Sequence, residues 1–212
     1  MTSVFLDLCS LGPESQYRLR YTMPNDTPMP NARRILVVDY DSIWPLTFAT
    51  LRAPICEVLR NIAVAVEHVG STSVPGLAAK PIVDIDVVLP SRAELPATIE
   101  KLASLGYAHR GDLGIAEREA FDSPAHLTAH NLYACVQGSV ALANHLTLRD
   151  HLRRNPNTVR AYGLLKKQLA EQLPTDIESY IAGKTAFLLQ ILEKEGFSDA
   201  ALRAIREANV KK

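Results

Sequence analysis

The chain has 212 residues, of which 47% are hydrophobic and 22% charged; that is an ordinary globular mixture for one domain of normal size. Lys plus Arg and Asp plus Glu both count 23, so bulk charge gives no argument for a nucleic-acid or membrane-surface protein. No apolar run approaches the roughly 20 residues of a membrane span, residues 1–9 lack a basic, apolar leader, and three scattered cysteines without CxxC or zinc spacing suit a reducing cytoplasm.

Residues 1–34 hold several prolines and many small polar residues, which predicts an irregular extension. Met23 and Met29 lie inside it and are alternative starts. The folded domain is expected over 35–212, with a sheet core at about 35–137 and a helical part at about 138–210. ILVVDYD (35–41) reads as extended. Phe48, Leu51, Ile55, Val58, Leu59 and Ile62 then recur at helical spacing, with Pro54 expected to kink or split the helix. AVAVEHVG (63–70) and PIVDIDVVL (81–89) read as strands, and 91–106 as a helix capped by Ser91 and ended by Gly106. Two short strands are expected near 118–122 and 131–136. The last third is helical: SVALANHLTLRDHLRRN, a helix opened by Asn155-Pro156, a helix opened by a capping box at Thr175–Glu178, and a final one over about 198–209. Strands with interleaved helices followed by helices alone predict an α/β (α+β) fold, a small mixed sheet flanked by helices with a C-terminal helical bundle.

The chemistry concentrates in HVGSTSVPGLAAKPIVDIDVVL (68–89). Gly70 ends a strand, and Ser71, Thr72 and Ser73 add hydroxyls to a turn whose N–H groups can cradle phosphate oxygens. Asp84 and Asp86 sit at i and i+2 on a strand, on one face, with Cα atoms about 6.6 Å apart. Their repulsion at 4 Å and an effective dielectric near 20 is about 4 kcal/mol. A divalent cation such as Mg²⁺ relieves it and commonly bridges carboxylates to phosphates; a structural use of the pair needs another cation, for which Lys80 is placed.

Gly-Ser, twelve residues, then Asp-x-Asp resembles the signature of the nucleotidyltransferase superfamily with the polymerase-β-like fold. EHVGSTSVPGLAAKPIVDIDV, DYDSIWPLTF, GDLGIAEREAF, HNLYAC, LRDHLRRNP, AYGLLKKQLA and YIAGKTAFL together resemble the blocks of the GrpB family, over about residues 35–193. The resemblance implies a nucleotidyltransferase-type fold and Mg²⁺-dependent transfer of a nucleotidyl group from a nucleoside triphosphate to an unidentified acceptor. The alternative is a nucleotide- or metabolite-binding domain that keeps the fold without turnover. Asp84 and Asp86 are then the catalytic metal ligands, and Gly70, Ser71, Thr72, Ser73, Lys80, Arg118, Arg149 and Lys184 the nucleotide contacts. Such sites usually carry a third carboxylate on a neighbouring strand. Glu119 is the candidate here, because the next strand offers His130, Asn131 and Tyr133 instead of an acid. No nucleic-acid or membrane signature is expected.

Overall fold

The structure is a computed structural model that describes residues 34–210. The irregular extension read over 1–34, and with it the choice of start, lies outside the described residues except for Arg34.

The chain order is α1 (Trp44–Val58), β1 (Ala65–Val69), a 3-10 turn (Ser71–Ser73), β2 (Val83–Leu89), a 3-10 turn (Arg92–Glu94), α2 (Leu95–Ala103), β3 (Ala108–Gly111), β4 (Arg118–Asp122), β5 (His130–Val136), α3 (Val140–Arg154), α4 (Pro156–Gln172), α5 (Ile177–Lys194) and α6 (Asp199–Val210). The strands form one mixed sheet in the order β1-β2-β5-β4-β3. β2 pairs antiparallel with β1 and parallel with β5, and β4 runs antiparallel to both β5 and β3. β2 is therefore an interior strand, and six of its seven residues are buried, as its largely β-branched sequence requires. The α/β expectation holds, including the helical last third.

The sheet has two differently used faces. Val83, Ile85, Val87 and Leu89 of β2 meet Leu51, Ile55 and Leu59 of α1 and its end, and Leu102 of α2, in the main core. The alternate residues face α3, where Val88 and Cys135 pack on Leu142. Helices α3, α4 and α5 close around Val74 and Leu77 through Leu152, Val159, Tyr162 and Ile191. The loop after the Ser71 turn is thereby clamped inside the helical bundle. Among the described residues no helix is long and apolar enough to cross a membrane.

Four expectations need correcting. Pro54 lies within one continuous α1 rather than splitting it; it is exposed, so water can serve the carbonyl its missing N–H leaves free. Ser91 caps the short 3-10 turn, accepting from Ala93 N, and α2 begins only at Leu95. The cap of α5 is Asp176, which accepts from Ser179 N, so the box at Thr175 is out by one residue. Residues 35–41 contribute a single bridge, Val38 to Ala79, rather than a strand.

Candidate functional site

Strand register decides which predicted residues meet. Asp84 and Asp86 pair with Asn131 and Tyr133 on β5, and with Val69 and Glu67 on β1. Arg118 on β4 pairs with Cys135. Paired residues share a face, so Glu67, Asp84, Asp86, Asn131, Tyr133, Cys135 and Arg118 all lie on the face covered by α3. Glu119 pairs with Ala134 on the other face. There it is buried between His109 Nε2 at 2.8 Å and Arg92 at 3.2 Å. The expectation that Glu119 is a third metal carboxylate is therefore corrected: one residue of β-pleat turns it away. Asn131 occupies the corresponding position beside Asp84 and donates to Asp84 Oδ1 at 2.7 Å.

Gly70 makes the site possible. Its φ is 67° and ψ −170°, a region left to glycine, and a Cβ there would lie 2.1 Å from Asp84 Oδ2. Backbone and carboxylate thus approach closer than any side chain allows. We expect Gly70→Ala to lower the unfolding free energy by about 2 kcal/mol or more, read as a lower urea midpoint at unchanged slope.

The hydroxyls of the turn divide in role. Thr72 and Ser73 are buried; Thr72 Oγ1 is 3.1 Å from His68 Nε2, and Ser73 Oγ donates to the Gly70 carbonyl at 2.7 Å. Arg153 donates twice to the Ser73 carbonyl, at 3.0 and 2.8 Å. These groups hold the turn and are not free to hold a ligand. Ser71 differs: its Oγ accepts from Lys166 Nζ at 2.9 Å. Lys166 is 2% exposed and lies 4.6 Å from the Tyr162 ring centre. Burial, with Lys184 nearby, lowers its pKa to about 6, against a weaker opposing pull from Asp84. Burial and then Lys80 lower Lys184 to about 8, Asp84 again opposing. Lys166 thus reaches Ser71, Lys166 and Lys184 both feel the Asp84 carboxylate, and Lys80 acts on Lys184, so positive charge gathers beside the turn. Lys80 and Lys184 are among the nucleotide contacts expected from the sequence; Lys166 is not, because a lysine on a helix usually faces water.

Arg149 is not part of this cluster. Its guanidinium is used by Glu67 at 2.7 Å, by Asp150 at 2.7 Å and by the His68 carbonyl at 3.2 Å. It ties α3 to β1, and its expected role as a nucleotide contact is corrected to a framework one.

Asp86 is fully buried, and His145 of α3 stands 2.7 Å away, Nδ1 to Oδ2. Burial acts to lower the His145 pKa, but attraction and hydrogen bonding to Asp86 outweigh it and raise it. The other oxygen of Asp86, Oδ1, is buried with no hydrogen-bond partner. Burial likewise raises the Asp84 pKa, with Asp86 adding to the rise and Asn131, His145 and Lys184 opposing it. An orphaned carboxylate oxygen beside a second carboxylate fits a cation, and oxygen donors fit Mg²⁺. Cys135 completes a group of possible ligand atoms with Asp86 and His145, all within 4.8 Å of one another. Burial pushes its thiol up, so it stays protonated and a poor ligand. His145 was missed in the sequence; the signal was there, since it stands four residues before Arg149 and so on the same helix face.

His130 turns to the opposite face, paired with Val83, where its ring meets Tyr107 Oη at 2.8 Å and the Thr128 carbonyl at 2.7 Å. Arg118 lies over the Tyr133 ring at 4.4 Å with its Nε buried and unpartnered.

Residues 34–194 match the family model described as GrpB protein. The UPF0157 protein YqkA of Bacillus subtilis is 35% identical over 156 residues, which is 74% of this chain and 46% of that protein, so this chain spans about half of that relative's length. Among solved structures, the conserved protein GrpB from Enterococcus faecalis superposes with a TM-score of 0.68 at 32% identity, over 79% of this chain and 98% of that one. The Cid1 poly(U) polymerase bound to MgGTP gives a TM-score of 0.43 at 16% identity, over 63% of this chain and 44% of that one, a likeness too slight to bear on chemistry.

Proposed function

The chain belongs to the GrpB family, and on that premise we propose that it binds a nucleoside triphosphate with Mg²⁺ and transfers the nucleotidyl group to an acceptor, in the cytoplasm. The observation that carries this reading is the meeting of Ser71, Lys166 and Lys184 with the Asp84–Asp86 pair at one end of one sheet face. A triphosphate has charge to match both halves: its β- and γ-phosphates suit the lysines and the Ser71 hydroxyl, and its α-phosphate suits the metal side.

Asp84 and Asp86 would hold the metal, which supplies charge neutralisation at phosphate and activation of the attacking oxygen when bound. Gly70 lets the backbone come close enough for Ser71 to reach the phosphates. Lys166 and Lys184 enter partly deprotonated at neutral pH, because burial has lowered their pKa values to about 6 and 8. A bound polyanion restores their charge, so binding takes up protons from solution. They then face the pyrophosphate as it gains charge.

Thermal unfolding against ATP, GTP, CTP and UTP, each with and without Mg²⁺, tests the reading. At about 100 times Kd the expected stabilisation is about 2.7 kcal/mol, or a shift of roughly 5 to 10 °C for this size. It should need Mg²⁺, and it should be larger at pH 6.5 than at pH 8.5, since binding protonates Lys166. A family of flat curves with all four nucleotides sinks it.

One observation favours the second reading, a binding domain without turnover. The neighbouring strand puts Asn131, an amide, where a third carboxylate would serve a second metal. Binding without pyrophosphate release in the presence of candidate acceptors would support that reading over transfer.

A further inference from the structure

Past His145, on the side away from Gly70, lies a cavity of about 510 Å³. Its walls come from the β3–β4 loop, the start of α3 and the end of α6. That volume suits a small metabolite. Three features mark it as built for a ligand.

First, the described residues have only three buried side-chain polar atoms without a partner, and all three belong to this neighbourhood. Arg118 Nε and Asn144 Oδ1 are on residues that line the cavity, and Asp86 is bonded to His145, which lines it too. Buried polar atoms are rarely left unpaired, because each costs about 1 to 3 kcal/mol. Second, Arg118 is 9% exposed and its guanidinium carbon lies 4.4 Å from the centre of the Tyr133 ring. A fixed, desolvated guanidinium is matched to a carboxylate. Third, the loop that forms one wall keeps Leu113 at φ 49° and Glu117 at φ 59°, conformations that cost free energy and persist where surroundings demand them.

The lining also limits the ligand. Leu113, Ile115, Val140 and Ile205 make most of the wall apolar. Glu117 stands exposed at its edge. One arginine inside and an acid at the mouth favour a single negative charge and disfavour phosphates or nucleotides. Asn144 Oδ1 asks for a donor, which a hydroxyl or amino group on the ligand provides.

We propose that this cavity binds a small organic carboxylate with an apolar body and a hydroxyl or amino group. That this ligand is the acceptor of the nucleotidyl group rests on the reading given above. Its support is that one imidazole, 2.7 Å from Asp86, separates the cavity from the metal-side carboxylates.

The test is NMR titration of the full chain with 6-hydroxyhexanoate, with hexane-1,6-diol and with inorganic phosphate. The expected result is saturable shifts of amides in 113–118 and 140–145 with the carboxylate, and much weaker ones with the neutral diol and with phosphate. Arg118→Met should weaken carboxylate binding about tenfold or more, while keeping the contact on Tyr133. Ala116→Trp, at an exposed wall position, should block the cavity and weaken binding as much, and it decides the matter if Arg118→Met does not fold. Absent shifts, equal shifts from phosphate or diol, or undiminished binding in a folded variant overturn the proposal. An ATP and Mg²⁺ titration of the same samples reads the Gly70 site separately, so failure of one site is distinguishable from failure of the other.

Discussion

Lys166→Met should yield a protein that is harder to unfold and no longer responds to nucleotide. The wild-type side chain is 2% exposed, and its partners are a hydroxyl and an aromatic face rather than a carboxylate at contact distance. Its pKa is lowered to about 6 when folded, from 10.5 in the free chain. The unfolded state therefore holds a proton that the folded state releases, from about pH 6 up to 10.5. Stability rises with pH across that window, by at most about 1.4 kcal/mol per unit. At pH 7 the accumulated cost of burying this amine is on the order of 4 kcal/mol. Methionine fills a similar volume without it, and replacing buried charge by apolar groups commonly recovers about 1 to 4 kcal/mol. The melting temperature should rise by roughly 2 to 4 °C per kcal/mol recovered. The gain should be greatest at and below pH 6 and should shrink toward pH 9. Denaturant unfolding of both proteins at pH 6.5 and 9 measures this. A variant less stable at both pH values would mean that Lys166 is held by more than its burial suggests. The accompanying loss of the nucleotide shift is what identifies the wild-type cost as functional, a stability–function exchange.

Asp84→Asn combined with Asp86→Asn should remove the Mg²⁺-dependent part of nucleotide stabilisation, roughly 5 to 10 °C at saturation, and leave the fold intact. The amide is chosen over alanine because Asp86 is fully buried and bonded to His145. Alanine would open a void and strip His145 of its partner, so a loss of binding would be ambiguous. With Asp86 neutral, the remaining influence on His145 is mainly burial, which lowers its pKa. The His145 ring resonance should accordingly titrate above the ordinary 6.5 in the wild type and below it in the double variant. In the wild type this makes the His145–Asp86 pair a contribution to stability that is full below pH 6.5 and lost as pH rises through the raised folded value. An unchanged Mg²⁺-dependent shift in a double variant whose His145 titration has moved would show that nucleotide binds elsewhere.

The sequence by itself determined the buried strand β2, the Gly70–Ser71 turn and the shared face of Asp84 and Asp86. Those follow from local rules: β-branched continuity, a glycine before small hydroxyl residues, and the two-residue period of a strand. The helical last third was legible for the same reason, its apolar stripes recurring at helical spacing. Strand β3 was not legible. Ala108–Gly111 shows no apolar alternation, and its pairing with β4 is accompanied by Arg110 on Asp122 and His109 on Glu119, contacts that only exist once the two strands lie side by side.

The tertiary structure alone decided the rest of the site. Which face Glu119 takes depends on the register of β4 against β5, and a shift of one residue would have reversed the answer. Lys166 and Ser71 are 95 residues apart in the chain, and no local pattern links them. Arg149 and His145 share a helix face, yet one is consumed by Glu67 and Asp150 while the other seals Asp86, a difference set by what the sheet presents beneath each. A side chain's type and its element can be read along the chain. Its partner, and hence its charge state and its availability to a ligand, is fixed only when packing brings distant segments together and removes water from between them.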